Sequence, residues 1–343
     1  MDLHIHSYGA YVHVRDGMFE VIVKNDSGER KQHQFAPQRI RSILLDEGAA
    51  LTTESISLAM KHHITIHILQ NSGDPVARIW HSRPGSTTAI RKRQLEASLQ
   101  SDAIKHIKQW VCAKLDNQCL FLNDLKSRRS AAAAEELQTA ADKIARFSAS
   151  ITALQGERID DIADSLRGYE GNAGKAYFGA LSALLPERYA FDGRSSRPAK
   201  DVFNAMLNYA YGILYSRVER VVNLAGLDPF CGFLHRDDYN TRSFVFDFIE
   251  PYRPHADRAV FQLFSTKKVN ETHFESIAGG VQLVKEGKQL CAAAFHKAFD
   301  EDRLRIAHRN TTRGMAMQRD AHAFANLLIG LPEETEHELV EVG

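Results

Sequence analysis

Three carboxylates and one imidazole occupy places where such groups are costly to keep without a partner. Asp247 and Glu250 lie in SFVFDFIEPYRP, three residues apart, among Phe244, Val245, Phe246, Phe248 and Ile249. On a helix that spacing puts both carboxylates on one face. Carboxylates buried in such apolar text must be paired or metal-bound. Arg253, three residues after Glu250, offers a plain ion pair as the alternative. His235 ends the run GLDPFCGFLH, a short loop with Pro229 and Gly232 that delivers an imidazole to the mouth of the next helix. Glu170 sits in RGYEGNAGKAYFGAL, flanked by Gly168, Gly171 and Gly174. Each interior glycine costs a helix about 1 kcal/mol relative to alanine. The expected offset is clearance, since a helix stripped of side chains around one carboxylate admits another backbone or a phosphodiester. Tight helix–helix packing with Glu170 exposed is the alternative. Carboxylates and an imidazole drawn from different helices suit Mn²⁺ or Mg²⁺, with water completing the sphere. Such a cation can bind phosphate oxygens and promote attack at phosphorus. No HExxH or HxxEH helix is present to favour Zn²⁺.

The elements that must position these groups change character along the chain. Residues 1 to about 80 are β-rich: Tyr11–Val14, Phe19–Val23, Gln32–Phe35 and Ile43–Leu45 are short apolar or β-favouring runs. Turn signals stand at Asp16-Gly17 and Ser27-Gly28. Thr53–His62 reads as a helix capped by Thr52 or Thr53, followed by the strands Ile64–Leu69 and Val76–Trp80. From Ser86 onward the apolar spacing turns helical. Helices are expected over Ser86–Leu125 (one, or two in series), Ala131–Leu154, Ile159–Leu185 and Val202–Ala225. Another covers Ser243–Ser265, interrupted near Pro251 and Pro254, and three more helix-like segments follow. The predicted fold class is α+β: a small N-terminal β-sheet domain, residues 1–85, joined by a short hinge to a large all-α domain, residues 86–332, with an acidic tail, 333–343.

With 343 residues, 44% of them hydrophobic and 25% charged, the chain can bury a sizeable core without staples. Its net charge is zero, but the tail carries five Glu and no Lys or Arg, and the rest of the chain has a net charge of +5. The tail itself reads as solvated. Basic residues cluster at Arg83 with Arg91–Arg93, at Lys126–Arg129, at Arg194, Arg197 and Lys200, at Lys267-Lys268, and at Arg303, Arg305, Arg309 and Arg313. Together they suggest a segmented track for phosphate contact. Cys112, Cys119, Cys231 and Cys291 show no metal-ligand spacing and read as reduced packing residues, which fits a cytoplasmic location. No signal peptide and no membrane-length apolar run is found. Glycine-rich phosphate loops, CxxC pairs and nucleophile elbows are missing too, which sets aside P-loop enzymes, zinc ribbons and α/β-hydrolases.

The blocks LRGYEGNAGKAYF, RPAKDVFNAMLNYAYGILYS, GLDPFCGFLH and FVFDFIEPYRPHADR occur in that order. With SILLDEGAALTTESISLAMKHHITIHIL upstream, they resemble the CRISPR-associated protein one family. The resemblance is strongest from about residue 160 to 270. It implies a metal-dependent DNA integrase/endonuclease of CRISPR adaptation, joining 3′-hydroxyl ends of short duplexes into the repeat array by transesterification. It places the family's metal ligands and catalytic centre on Glu170, His235 and Glu250, with Mn²⁺ or Mg²⁺ as cofactor. Asp247 matches an additional acidic position. Arg167, Arg197, Asn204 and Arg253 fall near the ligands or in matched blocks and are assigned to DNA binding. The implied partners are double-stranded DNA (spacer precursor and CRISPR repeat), a second copy in a homodimer formed largely through the β domains, and CRISPR-associated protein two. A nuclease hydrolysing branched or single-stranded DNA at the same site is the alternative, and a DNA-binding scaffold or a small-molecule metallohydrolase are rivals of other classes.

Overall fold

A computed structural model describes residues 2–5, 7–24, 30–40, 42–62, 64–69, 75–79, 87–127, 129–196, 198–235, 241–306 and 309–330. The chain divides into two compact units, Met1–Gly85 and Ser86–Gly343.

The first unit holds two four-stranded sheets. Its strands are β1 (Asp2–Ile5), β2 (Tyr11–Arg15), β3 (Met18–Lys24), β4 (Arg30–Phe35), β5 (Ser42–Asp46), β6 (Ala50–Leu51), β7 (Thr65–Leu69) and β8 (Pro75–Ile79). One sheet runs β4-β3-β2-β6 and the other β1-β5-β7-β8. The β2–β3 hairpin turns at Asp16-Gly17, both with positive φ, 52° and 72°. That is the geometry in which Asp-Gly matches the strand twist. Helix α1 (Thr53–Lys61) starts where Thr52 accepts a hydrogen bond from the Ser55 amide at 3.2 Å. Its Ala59 packs into a core of Leu3, Val12, Phe19, Ile43 and Ile66. Strand β1 pairs in parallel with β5, from Asp2 with Ser42 to Ile5 with Leu45. The exposed His4 ring bonds Asp46 at 2.8 Å, while His6 and His63 lie outside the described residues.

The second unit is mostly helical: α2 (Thr87–Ser98), α3 (Asp102–Lys126), α4 (Ala131–Ala153), α5 (Ile159–Ala183) and α6 (Val202–Leu224). Then come α7 (Ser243–Phe248), a 3-10 turn (Glu250–Tyr252) and α8 (Arg253–Ser265). The break between α7 and α8 falls at Pro251, whose ring removes a backbone donor, while Pro254 sits in the first turn of α8, where that donor is not needed. The tail end departs from the helical expectation. Two short hairpins, β9 (Phe274–Ile277) with β10 (Gly280–Leu283) and β11 (Leu304–Ile306) with β12 (Arg309–Thr311), flank α9 (Lys285–His296). Helix α10 (Arg313–Leu328) follows. The acidic tail lies outside the described residues.

Helix α3 is the spine of this unit. Its 25 residues bury Ile107, Trp110, Val111, Leu115, Phe121 and Leu122 along one stripe. Trp110 is packed edge-on against Phe244, Phe248 and Phe324 and tilted against Phe233, at 5.2–5.9 Å between ring centres. Two turns on, the Asn117 side chain donates to the Pro251 carbonyl at 2.9 Å. Phe121 meets Phe261 of α8 edge to face at 5.7 Å. All four cysteines are free thiols, and burial pushes the Cys291 thiol up to about 12. Among the described residues no helix is long and apolar enough to cross a membrane.

Candidate metal and phosphate site

Glu170 stands in the middle of α5, and Glu250 opens the 3-10 turn after α7. These distant carboxylates converge on one positive centre. Lys114 Nζ of α3 lies 2.5 Å from Glu170 Oε1 and 2.6 Å from Glu250 Oε2. Arg253 Nε holds the other Glu250 oxygen at 2.8 Å. The same guanidinium donates to Tyr215 Oη at 2.7 Å and lies 4.8 Å over the Tyr211 ring. Burial alone would raise the Glu250 carboxyl, but Arg253 and Lys114 outweigh it and bring Glu250 down to about 2. Burial would likewise lower the Lys114 ammonium, yet Glu250 and Glu170 hold it up at about 12.

Asp247 does something different from what its spacing suggested. It does not share a free face with Glu250 but is fully buried behind the loop 227–235. Its Oδ2 accepts the amides of Phe233 and Leu234 at 2.6 and 3.1 Å. Its Oδ1 accepts the His235 amide at 3.2 Å and the His235 ring at Nδ1, 2.6 Å away. The carboxylate therefore ends a loop and fixes an imidazole. A carboxylate can only accept, so Nδ1 carries a proton, and in the neutral ring Nε2 holds the lone pair. Burial would lower the His235 ring; the bond and charge of Asp247, with Glu250 and Glu170 behind, more than offset this and raise it. The loop closes tightly at Gly232, where a Cβ would stand 2.4 Å from the Ser243 Cβ and 2.5 Å from the His235 carbonyl oxygen.

The glycines around Glu170 have no protein neighbour. A Cβ at Gly168, Gly171 or Gly174 would meet nothing within 4 Å, so tight helix–helix packing does not account for them and that face of α5 stays clear. Beside it opens a cleft of about 780 Å³ lined by Asp160, Asp164, Arg167, Tyr215, His235 and Arg253. Arg167 reaches across to donate to the Leu234 carbonyl at 3.1 Å and touches Asp164 at 3.4 Å, with half of its side chain in solvent. Arg167 and Arg253 thus both face the cleft.

Asn204 does not. It is completely buried at the start of α6. Its Oδ1 accepts from Arg194 and from the Ser195 amide, and its Nδ2 donates to the Gly193 carbonyl and to Asp201 Oδ2, 2.9 and 2.7 Å away. The amide is spent on clasping the 193–201 loop and has nothing left for DNA, which corrects its assignment as a DNA contact. Arg197 lies outside the described residues.

Behind Arg253, the Tyr211 hydroxyl donates to Asp257 at 2.6 Å. Burial raises Asp257 to about 6 against the pull of that bond and of Arg194, Lys114 and Arg253.

Lys114 escaped the sequence reading. The signal was present: a lysine within the apolar stripe of α3, one turn after Trp110, is a charge on a buried face. Among the described residues no three His, Cys, Asp or Glu side chains stand close enough to form a ready-made metal cage. The donor set still suits a divalent cation. Two carboxylates meet at one cationic position, and the neighbouring imidazole is oriented by a carboxylate.

A β unit ahead of a helical unit is a fold with solved members. A CAS1 protein from Thermotoga maritima superposes with a TM-score of 0.73 at 21% identity, over 98% of this chain and 99% of that one. A casposase bound to integration product superposes at 0.63 and 20% identity, over 98% and 99%. The CRISPR-associated endonuclease Cas1 1 of Archaeoglobus fulgidus is 31% identical over 310 residues, 88% of each chain. The family model described as CRISPR associated protein Cas1 matches residues 3–297. The chain belongs to that family.

Proposed function

We propose that the chain is a metal-dependent DNA integrase/endonuclease of CRISPR adaptation. It would join the 3′-hydroxyl ends of short DNA duplexes to a repeat array by transesterification. One observation carries this reading: Glu170 and Glu250, 80 residues apart in sequence, meet at a single cation, and Arg253, which holds Glu250, lines a cleft together with His235 and Arg167. Family membership and a family relative named as an endonuclease support it.

Glu170, Glu250 and Nε2 of His235 would hold Mn²⁺ or Mg²⁺, which when bound polarises a phosphodiester and stabilises charge developing on its oxygens. Asp247 fixes the imidazole so that Nε2 faces the cleft side. Arg253, held by Glu250 and Tyr215, and Arg167, held by Leu234, present guanidinium donors to phosphate from two sides. In the reaction the attacking 3′-oxygen forms a bond to phosphorus and loses its proton. The strand leaving that phosphorus departs with a 3′-hydroxyl. Gly174, one turn from Glu170 on the same face, leaves room for the sugar–phosphate backbone. With water as nucleophile the same arrangement would hydrolyse DNA, the second reading. Partners proposed are double-stranded DNA, a second copy through the β unit and CRISPR-associated protein two, in the cytoplasm.

The test is strand transfer. Labelled short duplexes with free 3′-hydroxyls are mixed with supercoiled plasmid carrying a repeat array, Mn²⁺ or Mg²⁺, and the partner protein. Label joined to plasmid, and lost in Glu170→Ala and His235→Ala that still fold, supports the integrase. Metal-dependent cutting without joining supports the nuclease. DNA binding with neither activity removes the enzyme reading.

A further inference from the structure

The centre between Glu170 and Glu250 is already electrically balanced by the protein. Two carboxylates face two buried cations, Lys114 and Arg253, and both Glu250 oxygens are in use. Adding a divalent cation to that set would leave an excess of two positive charges in a poorly solvated place, which is costly at close range. One of the two must give way. Arg253 is fastened by Tyr215 as well as Glu250 and is stacked on Tyr211. Lys114 is held at its tip by the two carboxylates themselves. Its backbone is fixed from both sides, by Trp110 in its aromatic cage and by Asn117 on Pro251. What remains free to move is a four-carbon stem carrying a point charge.

We propose that Lys114 is a resident counter-ion of the carboxylate pair, and that a divalent cation enters by exchanging with its ammonium. This rests on the reading of Glu170 and Glu250 as cation ligands. It has two consequences. Without metal, the ammonium keeps the acid pair from repelling itself and holds α5 to the turn after α7. With metal, it is a competitor that weakens binding and makes metal occupancy depend on concentration.

The experiment is Mn²⁺ binding to the full chain without DNA, by calorimetry and by electron paramagnetic resonance, with thermal unfolding alongside. Four proteins are compared: parent, Lys114→Met, Lys114→Arg and Glu170→Gln. Lys114→Met should bind Mn²⁺ at least about tenfold tighter, the minimum expected for removing one close positive charge from a buried cation site. Its metal-free unfolding temperature should fall, and Mn²⁺ should restore it. Lys114→Arg should stay near the parent. Equal or weaker binding by Lys114→Met overturns the exchange. If Lys114→Met does not fold, the parent decides: lysine side chains labelled with ¹³C at Cε are titrated with Mg²⁺, the Lys114 signal being assigned by its loss in Lys114→Arg. A shift of that signal supports exchange, and its indifference to saturating Mg²⁺ overturns it. Should the parent bind no Mn²⁺ that Glu170→Gln abolishes, the metal reading itself fails, a result separate from a fault in the role of Lys114.

Discussion

The Asp247 carboxylate holds the His235 ring at Nδ1 over 2.6 Å while accepting three consecutive backbone amides, those of Phe233, Leu234 and His235. Structure and site therefore meet in one side chain. Asp247→Asn replaces an acceptor oxygen by a donor that faces amide hydrogens. It should cost about 2–4 kcal/mol of stability, the range for breaking a buried charge-assisted network. His235→Ala, at a side chain 43% exposed, should cost less than about 1 kcal/mol while abolishing strand transfer. Urea unfolding of both, beside the transfer assay, checks the contrast. Equal stability losses would count against it.

Glu170 and Glu250 should separate in the same way. Glu250 is buried between two cations, and Glu170 keeps 23% of its side chain exposed. Glu250→Gln leaves two buried charges short of a partner and should destabilise by about 3–5 kcal/mol. Glu170→Gln should destabilise by about 1 kcal/mol or less. Both should lower strand transfer at least about 100-fold, the scale of losing one electrostatic contact at a reacting centre. Activity must be compared below the unfolding temperature of the weaker variant.

Arg167 and Asn204 entered as two members of one DNA-binding set, and the structure divides them. Asn204→Ala should cost about 2–4 kcal/mol by leaving buried loop groups unpaired, with DNA affinity of the folded protein unchanged. Arg167→Ala should leave the unfolding temperature alone, weaken DNA binding and reduce the salt slope of log K by about 1. A salt titration by fluorescence anisotropy reads both.

Asp257 gives the pH signature. Its carboxyl titrates near 6 in the folded chain, above its ordinary 3.8, because it is buried. A proton is thus held more tightly folded than unfolded. The stability linked to it is complete below about 4, drains away as pH rises to about 6, and stays lost above. Asp257→Asn carries no such charge to bury. From pH 4 to pH 7 its stability should therefore gain on the parent by about 2 kcal/mol. Urea midpoints across that range test this; parallel curves would contradict it.

Much of the fold was legible because its helices are long and amphipathic. The spans predicted for α4, α5 and α6 agree with the structure within a residue or two. The hairpins β9–β10 and β11–β12 were not, since strands of three and four residues, the first wholly partly or fully exposed, have no alternation to read. The pairing of β1 was hidden for another reason: its partner β5 lies about 40 residues away, and pairing of that kind leaves no local trace. At the site, carboxylates in apolar text were visible as an energetic problem. Which solution each had found was not. Asp247 solves it with amides, Glu250 with cations, and only coordinates distinguish the two. Asn204 shows the limit of a matched block, which marks a position and not the direction its amide faces.

Helix α3 carries a consequence for descent. Trp110, Lys114, Asn117 and Phe121 fall on one stripe and touch, in turn, the α7 aromatics, the acid pair, Pro251 and α8. Adding or deleting one residue between them would turn everything beyond it by about 100° around the helix axis. The cleft would then lose its alignment at several points in one mutational step, with no intermediate that keeps part of it. Inheritance can exchange letters along Trp110–Phe121 but cannot change its length, whereas surface loops of the same chain are free to grow and shrink.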